Sequence, residues 1–290
     1  MDESQLLADR FQGHRPQLRA VAYRLLGSLS EADDAVQETW LRLDRADTRD
    51  VTNLGGWLTT VVGRICLDML RARTARHEVS LDAWLPDPIV RGAESGDPEN
   101  EALLADSVAL ALLVVLETLQ PAERIAFVLH DTFGVPFDEI AGIVGRSPAA
   151  TRQLASRARR RVRQAAVDAD VNPATQRQVV EAFLSAARSG DLEALVALLD
   201  PDVVVRADTG RPPVRVVRGA RAVAERALLF SGVSAEARVE LVGGAAGIVA
   251  GAHGQRTTVM GFAVRDGRVI EIDILTDPVR LRRLEQEAGR

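Results

Sequence analysis

Residues 137–163 read FDEIAGIVGRSPAATRQLASRARRRVR, and this stretch determines how the whole chain is interpreted. It predicts a short helix, a turn at Gly145 and a second helix that Ser147 caps and Pro148 opens. Residues 145–167 contain seven arginines and no acidic residue, although the whole chain carries a formal charge of −5. A cationic helix after a tight turn suits the DNA major groove, where phosphates supply most of the attraction. DNA binding is therefore the leading interpretation. A plain solvated helix is the alternative, but such a helix normally mixes charge signs.

The second helix is expected to bury one stripe and to expose the opposite face. Apolar and small residues recur at spacings of three and four, which is the helical pattern: Thr151, Leu154, Ala155, Ala158 and Val162. Side chains near the start of such a helix can reach base edges, whereas arginines farther along hold phosphates. The outward residues that follow from this pattern are Ala149, Arg152, Gln153, Ser156, Arg157 and Arg160, with Arg159 and Arg163 as further phosphate candidates.

Composition places the chain among globular proteins of two or three domains. It has 290 residues, of which 47% are hydrophobic and 27% charged. The single cysteine, Cys66, excludes an internal disulfide, and its apolar context predicts a buried core residue. Neither a metal nor another cofactor is expected. The polar N-terminus and the lack of a long apolar run predict a cytoplasmic protein with no membrane association.

The first half of the chain separates into three predicted segments. Residues 1–77 form a helical domain, residues 78–101 a linker rich in Pro and Gly, and residues 102–167 a second helical domain. In the first domain the capping-box spacing at Ser30 predicts a helix that ends near Asp44, and a further helix is predicted from Gly56 to Arg76. Helix is also expected from about Glu101 to Leu119 and from Pro121 to about Asp131. The linker contains Trp84-Leu85-Pro86, and an aromatic residue in a linker usually docks onto another surface.

Residues 173–285 form a different kind of domain. Helices are expected at 175–189, at 191–199 and after Gly219, and strands at 203–205, 238–242, 247–253, 257–265 and 268–275. Asp266-Gly267 is a hairpin signal between the last two strands. Helices followed by an antiparallel sheet indicate an α+β cone that folds separately from the helical half.

Polar residues in this domain do not form a specific acid–base site. The candidates are Asp208, His253, Glu271 and Asp273. Glu271 and Asp273 alternate with isoleucines, so they share one face of a strand, which is either a pocket or solvent. Solvent is the expectation, and catalysis is not expected.

Three motifs occur in the order and spacing of a known family. The first is the run Glu31-Ala32-Asp33-Asp34-Ala35-Val36-Gln37-Glu38-Thr39-Trp40-Leu41-Arg42-Leu43. The second runs from Gly56-Trp57-Leu58 to Asp68-Met69-Leu70-Arg71, and the third covers residues 119–163. Together they resemble the extracytoplasmic-function (ECF) group of bacterial RNA polymerase sigma factors, over residues 10–166. The resemblance implies two all-α sigma domains, region 2 and region 4, of which the second contains a helix-turn-helix.

The resemblance also implies partners and residue roles. The partners are promoter DNA and core RNA polymerase, through its β′ clamp and β flap. The implied polymerase contacts are Asp33, Asp34, Gln37, Glu38 and Trp40. The implied contacts with the minus-ten element are Trp57, Arg64, Asp68, Arg71 and Arg73; many members have Asn where Arg64 stands. Those with the minus-thirty-five element are Ser147, Ala149, Arg152, Gln153, Ser156, Arg157, Arg160 and Arg163.

The linker and the extra domain resemble one subgroup, in which a SnoaL-like domain of the NTF2 superfamily follows the sigma half. Members carry an Asp-Gly-Gly stretch and an Asn-Pro-Asp stretch, which here read Asp208-Thr209-Gly210 and Thr276-Asp277-Pro278. Because this domain is tethered behind the second DNA-binding domain and the linker carries an aromatic residue, an intramolecular contact of this domain with the linker or the sigma domains is expected. The implied regulatory residues are Trp84, Leu85, Pro86, Asp208, Gly210, Asp277 and Pro278.

The sequence thus predicts a sigma factor that directs promoter-specific initiation and whose C-terminal domain modulates its activity. A one-component, ligand-responsive regulator that does not need core polymerase is the alternative, but it leaves residues 31–43 and 56–76 without a role. An enzyme with a vestigial helical half is a third hypothesis, which predicts substrate turnover and no affinity for DNA.

Overall fold

The computed structural model describes residues 3–46, 51–75, 84–91, 110–167, 172–211, 213–229, 236–252 and 255–288. The chain forms two compact units. The first contains residues 1–79 and 115–163, and the second contains residues 80–98 and 164–290 among others. The predicted order, a helical half followed by an α+β half, is confirmed.

Three helices begin the first unit: α1 (Glu3–Leu26), α2 (Leu29–Arg45) and α3 (Leu54–Ala75). The predicted start of α2 at Ser30 is wrong, because Ser28 is the N-cap. Ser28 has an extended backbone, and its hydroxyl accepts a bond from the Glu31 amide at 3.4 Å. Along α2, Val36 and Leu43 are buried as expected. The predicted end of α3 at Arg76 lies outside the described residues.

The second group of helices is α4 (Leu110–Glu117), α5 (Pro121–Phe127), α6 (Phe137–Val144) and α7 (Pro148–Val167). The helix predicted from Pro121 to about Asp131 instead ends as a π-helical turn, Val128–Thr132. Bonds from the Val135 amide to Leu129 O and from the Gly134 amide to His130 O join this turn to the loop that follows. The helix predicted over residues 101–109 lies outside the part of the chain that is described.

The turn between α6 and α7 has the local geometry that its residues predict. Gly145 has φ 67° and ψ 42°, a left-handed conformation, and its amide bonds to Ala141 O. Ser147 then accepts the Ala150 amide on its hydroxyl at 3.2 Å. A glycine that stops one helix and a serine that starts the next therefore fix the corner.

In α7 the expected buried stripe is present, but two of its five residues are less buried than predicted. Thr151, Ala155 and Ala158 are buried, whereas Leu154 and Val162 are only half-buried. The stripe is therefore narrower than the sequence pattern suggests.

The second unit is built on a seven-stranded sheet. Its order is β1-β4-β5-β6-β7-β2-β3, and all neighbours are antiparallel except β2 and β7. The strands are β1 (Val90–Arg91), β2 (Leu199–Asp208), β3 (Arg215–Arg218), β4 (Arg238–Val242), β5 (Ala245–Ala252), β6 (Gln255–Arg265) and β7 (Arg268–Leu275). The predicted strand 203–205 extends in both directions, and β1 and β3 were not predicted.

Helices α8 (Pro173–Ser189), α9 (Leu192–Leu198) and α10 (Ala220–Leu229) pack on one face of this sheet, and α11 (Pro278–Ala288) follows β7. Phe183 of α8 meets Phe262 of β6 edge to face, with ring centroids 5.4 Å apart. Val205 and Ile272 are paired across β2 and β7, and both belong to this core. Because side chains alternate, Arg206 and Asp273 lie on the opposite face of the sheet.

Cys66 is fully buried, as predicted, and burial raises the pKa of its thiol. Among the described residues, no helix combines the length and the apolar composition that crossing a membrane requires.

The turn between α6 and α7 gives a test of the fold. Gly145→Ala should lower the free energy of unfolding by about 1–2 kcal/mol, because a side chain disfavours the left-handed backbone. Gly142→Ala, three residues earlier, should raise it by about 0.5–1 kcal/mol, because that glycine lies inside α6. In both places an added Cβ meets nothing within 4 Å, so packing does not confound the comparison. Urea unfolding measures both, and equal effects would contradict the assigned turn.

Candidate functional site

The outer face of α7 is exposed where the sequence predicts contact with DNA. Arg152 lies over the ring of Phe137, with 5.6 Å from its guanidinium carbon to the ring centroid, and the same ring stacks on His130 at 3.8 Å. The predicted residues of this face that are exposed are Ser147, Ala149, Arg152, Gln153, Ser156, Arg157, Arg160 and Arg163. The face is thus accessible, and one of its arginines is held by an aromatic side chain.

Acidic residues from outside α7 bind its flanking arginines. Glu123 of α5 binds Arg157 Nε at 2.9 Å and Arg161 Nη1 at 2.8 Å, and Asp131 binds Arg159 Nε at 2.5 Å. Sequence reasoning missed Glu123, Asp131 and Arg161 as partners. Pairs that are 28 to 38 residues apart leave no local signal.

The predicted minus-ten residues on α3 divide into two groups. Arg64, Asp68 and Arg71 are exposed, and Trp57 is half-buried. Arg73 points inward instead: its guanidinium donates to Leu26 O at 3.0 Å and forms an ion pair with Glu31. In this arrangement Arg73 is therefore engaged within the protein.

The first helical domain contacts the helix-turn-helix domain inside the first unit. Arg64 Nη2 donates to Gly142 O at 3.3 Å. Arg124, which is 2% exposed, donates to Leu25 O at 3.0 Å and to Glu117 Oε1 at 2.7 Å. Packing is close at Gly63, where an added Cβ would lie 3.2 Å from Ile143 Cδ1. The two predicted DNA-binding domains are thus closed against each other.

Several of the residues on α2 that are predicted to contact polymerase already have partners within their own domain. Asp34 and Gln37 are exposed. Asp33 is paired with Arg19 at 2.7 Å, Glu38 is paired with Arg42 at 3.1 Å, and Trp40 packs on Phe11 with ring centroids 5.1 Å apart. Asp33 and Trp40 therefore also have structural roles.

Arg280 at the start of α11 holds the linker against the second unit. Its guanidinium donates to Asp87 Oδ1 at 2.6 Å, to Asp208 Oδ2 at 2.7 Å and to Leu85 O at 2.6 Å. It also lies over the Trp84 ring at 5.1 Å. The Leu85 amide donates to Asp208 Oδ2 at 3.1 Å. We call this group, Trp84, Leu85, Asp87, Asp208 and Arg280, the linker clamp.

The two stretches that depart from the subgroup motifs, Asp208-Thr209-Gly210 and Thr276-Asp277-Pro278, meet at the linker clamp. We call them the degenerate motifs. Asp208 Oδ1 accepts the Gly210 amide at 2.9 Å. Gly210 has φ 76°, and an added Cβ would lie 2.7 Å from the Asp277 carboxylate. Asp277 in turn caps α11, which Pro278 begins, by accepting the Val279 amide at 2.8 Å. Pro86 is buried. The seven implied regulatory residues thus lie together, whereas Arg280, which binds Asp87 and Asp208, was not singled out from the sequence.

Arg206, Glu271 and Asp273 form a charge cluster on the sheet face opposite the helix-covered core. Asp273 is 5% exposed, so the expectation that it faces solvent is wrong. Arg206 Nη1 binds Asp273 Oδ1 at 3.2 Å and also pairs with Glu271, which is half-buried. Burial raises the pKa of Asp273 to about 8, with a further rise from Glu271 and an opposing effect of Arg206. His253 lies outside the described residues.

Comparison with known proteins shows the family of the chain. Residues 10–76 match Sigma-70 region 2, and residues 109–162 match Sigma-70, region 4. The chain is 40% identical over 285 residues to the ECF RNA polymerase sigma factor SigJ of Mycobacterium tuberculosis, covering 92% of this chain and 91% of SigJ. The chain belongs to the ECF RNA polymerase sigma factors.

Two further similarities extend over nearly the whole ECF sigma chain. The probable ECF sigma factor SigI of Mycobacterium tuberculosis is 35% identical over 292 residues, covering 100% of this chain and 99% of SigI. The crystal structure of Mycobacterium tuberculosis SigJ superposes with a TM-score of 0.74 at 36% identity, covering 95% of this chain and 98% of that one. The family and the fold class predicted from the sequence are confirmed.

The charge cluster predicts a pH dependence of stability. As the pH rises, the Asp273 carboxyl of the unfolded chain loses its proton near pH 3.8, whereas the folded state keeps the proton until a higher pH. The contribution of protonated Asp273 to the free energy of unfolding is therefore present at low pH and is lost as the pH rises towards about 8. Asp273→Asn should flatten the decline in unfolding free energy between pH 5 and pH 8. Asp202→Asn, an exposed carboxyl on β2, should keep the wild-type slope; a wild-type slope in Asp273→Asn would contradict the assignment.

The linker clamp predicts a spectroscopic change. Arg280→Ala leaves the buried Asp87 and Asp208 without this guanidinium, so the linker should detach and expose Trp84. In a background with Trp40→Phe and Trp57→Phe, the Trp84 emission should shift to longer wavelength. Arg282→Ala, an exposed arginine on the same helix, is the matched control and should leave the emission unchanged. An unshifted spectrum in Arg280→Ala would refute the clamp.

Proposed function

We propose that this ECF sigma factor binds core RNA polymerase through α2, contacts promoter DNA through α3 and α7, and is modulated by its C-terminal unit through the linker. The observation that carries the proposal is the opposite charge of two exposed faces in one unit. The face of α2 presents the exposed acid Asp34 and the half-exposed Glu38, which pairs with Arg42, while the face of α7 presents arginines. A protein that grips both a polymerase and its template needs one face for each.

Contact with polymerase would begin electrostatically. Asp34, Gln37 and Glu38 form an acidic and polar strip on α2, which suits a basic coiled coil in the β′ clamp. Region 4 would contact the β flap with part of its surface, while α7 remains accessible. Rim charges of this kind act mainly on the association rate and its salt dependence.

Promoter binding requires the two DNA-binding domains to separate. The minus-ten and minus-thirty-five elements lie about 25 base pairs apart, which is roughly 85 Å at 3.4 Å per base pair. Arg64 of the minus-ten face is instead hydrogen-bonded to Gly142 of the helix-turn-helix. The closed unit therefore cannot contact both elements at that spacing. We infer that polymerase binds the open form and shifts the population towards it.

Modulation by the C-terminal unit would act on this opening. The linker joins α3 to α4, so its path limits how far the two domains can separate. The linker clamp fixes residues 84–91 on the second unit, where Val90 and Arg91 pair with β4. Fixing this segment restricts the conformations that the linker can reach, whereas releasing it widens the range.

The alternative of a regulator that is independent of polymerase is not favoured, because both sigma regions match in full order. No catalytic role is proposed for the cone. Its buried carboxylate, Asp273, is bound by Arg206 on the face opposite the helix-covered core.

Reconstituted initiation tests the proposal. Purified protein, core polymerase and a promoter library read by sequencing should yield transcripts that share two upstream elements. Asp34→Ala with Glu38→Ala should weaken core binding about 5- to 30-fold at low salt, since each exposed pair contributes up to about 1 kcal/mol. Glu181→Ala with Asp202→Ala removes two acids from the second unit and should leave core binding unchanged. Failure of the wild-type chain to bind core polymerase at low salt would overturn the function.

A further inference from the structure

The carboxylate of Glu123 occupies an unusual position beside the recognition helix. Its side chain is 6% exposed, yet both of its oxygens bind arginines of α7 that are themselves about half exposed. Arg157 Nε lies 2.9 Å from Oε1, and Arg161 Nη1 lies 2.8 Å from Oε2. A buried anion therefore anchors two cations whose outer surfaces remain in solvent.

Helix geometry places these two arginines on one flank of α7. Residues 157 and 161 are one turn apart, so both side chains project from the same side of the helix. Thr151, Ala155 and Ala158 face the domain core, and Gln153 and Arg160 are on the exposed side. In a helix that lies in the major groove, the flank between core and outer face runs beside a phosphate strand.

The bonds to Glu123 leave most donors of both arginines available. A guanidinium carries five N–H donors in a planar fork, and each of these contacts uses one of them. The remaining donors can bind phosphate oxygens with bidentate geometry. Glu123 thus fixes the orientation of both forks without occupying them.

We propose that Glu123 is a positioning residue that preorganises Arg157 and Arg161 as a two-arginine phosphate clamp. Arg161, which the sequence pattern did not select, is a DNA contact in this proposal. Ordering a long side chain on binding costs free energy, and holding it in place beforehand removes part of that cost. The inference rests on the proposed function, because it concerns how region 4 holds promoter DNA.

The opposite expectation follows if Glu123 only neutralises charge. An anion near DNA repels phosphates, so removing it would strengthen binding and steepen the salt dependence. In the phosphate-clamp proposal, Glu123→Gln loosens both arginines and weakens binding. The two interpretations therefore predict changes of opposite sign for a single, nearly isosteric substitution.

The experiment measures binding of the holoenzyme to a labelled duplex recovered from the promoter library. Binding is measured at several salt concentrations between about 50 and 200 mM, because phosphate contacts make affinity strongly salt-dependent over this range. Glu123→Gln should lower affinity about 5- to 30-fold. The slope of log K against log salt should fall by about 0.9 for each phosphate that the variant no longer binds. Unchanged or raised affinity would overturn the proposal.

A double-mutant cycle separates positioning from general damage. In the background Arg157→Ala with Arg161→Ala, Glu123→Gln should have no further effect on DNA affinity. A further loss would show that Glu123 acts by another route and would overturn the proposal.

Two more variants keep the test decisive if Glu123→Gln unfolds region 4. Arg161→Ala changes a half-exposed side chain and should alone lower both affinity and salt slope; no change in either quantity refutes the phosphate clamp. Asp131→Asn removes an acid that is more exposed than Glu123 and binds one arginine, Arg159, on the other flank, so any fall in affinity should be clearly smaller than that of Glu123→Gln. A fall equal to that of Glu123→Gln would mean that any acid beside α7 acts alike, which also overturns the proposal.

Failure of this inference is distinguishable from failure of the proposed function. If the wild-type holoenzyme initiates at its promoters while Glu123→Gln binds DNA as well as wild type, only the phosphate clamp is wrong. If the wild-type chain does not bind core polymerase, the function itself is wrong.

Discussion

Pairing of buried carboxylates with arginines from distant parts of the chain is the interaction on which the arrangement of this protein depends. Glu123 of α5 binds Arg157 and Arg161 of α7, and Asp87 and Asp208 bind Arg280 at the linker. A buried ion pair contributes little net stability, but removing one partner strands the other charge at a cost of about 3–5 kcal/mol. Such pairs therefore select one arrangement over its alternatives more than they add to its stability.

Arginine suits this role because its planar fork binds several acceptors at once. Arg280 binds two carboxylates and a backbone carbonyl while its flat face covers Trp84. Lysine, a compact point charge, lacks the planar fork for such contacts. One arginine thus joins the linker, the end of β2 and the start of α11. The degenerate motifs lie at the last two of these places, one at each.

The features that could be predicted from the sequence are those with local causes. Gly145, Ser147 and Pro148 determine the corner between α6 and α7 within a few residues, and Asp266-Gly267 determines the hairpin between β6 and β7. Partners separated by tens of residues, such as Glu123 for Arg161, leave no periodic signal. The alternation around Glu271 and Asp273 correctly gave them one face, but a period of two does not tell which face is covered. The absence of acids within α7 likewise did not reveal that acids reach it from α5 and the π-helical turn.

The proposed opening of the first unit has an energetic cost that follows from the contacts inside it. Opening it breaks the contacts of Arg64 with Gly142 and of Arg124 with Leu25, and it exposes the close packing at Gly63. The Arg64 bond is exposed, whereas the Arg124 bond and the packing at Gly63 are buried, and salt screens buried contacts only weakly. A ligand shifts such an equilibrium only by its differential affinity for the two states. In the proposed mechanism polymerase and promoter would have that differential affinity, and every contact that holds the unit closed would lower the apparent affinity of the protein for them. In the proposed mechanism the linker clamp would act on the same equilibrium, because it fixes residues 84–91 of the segment that joins the two helical domains.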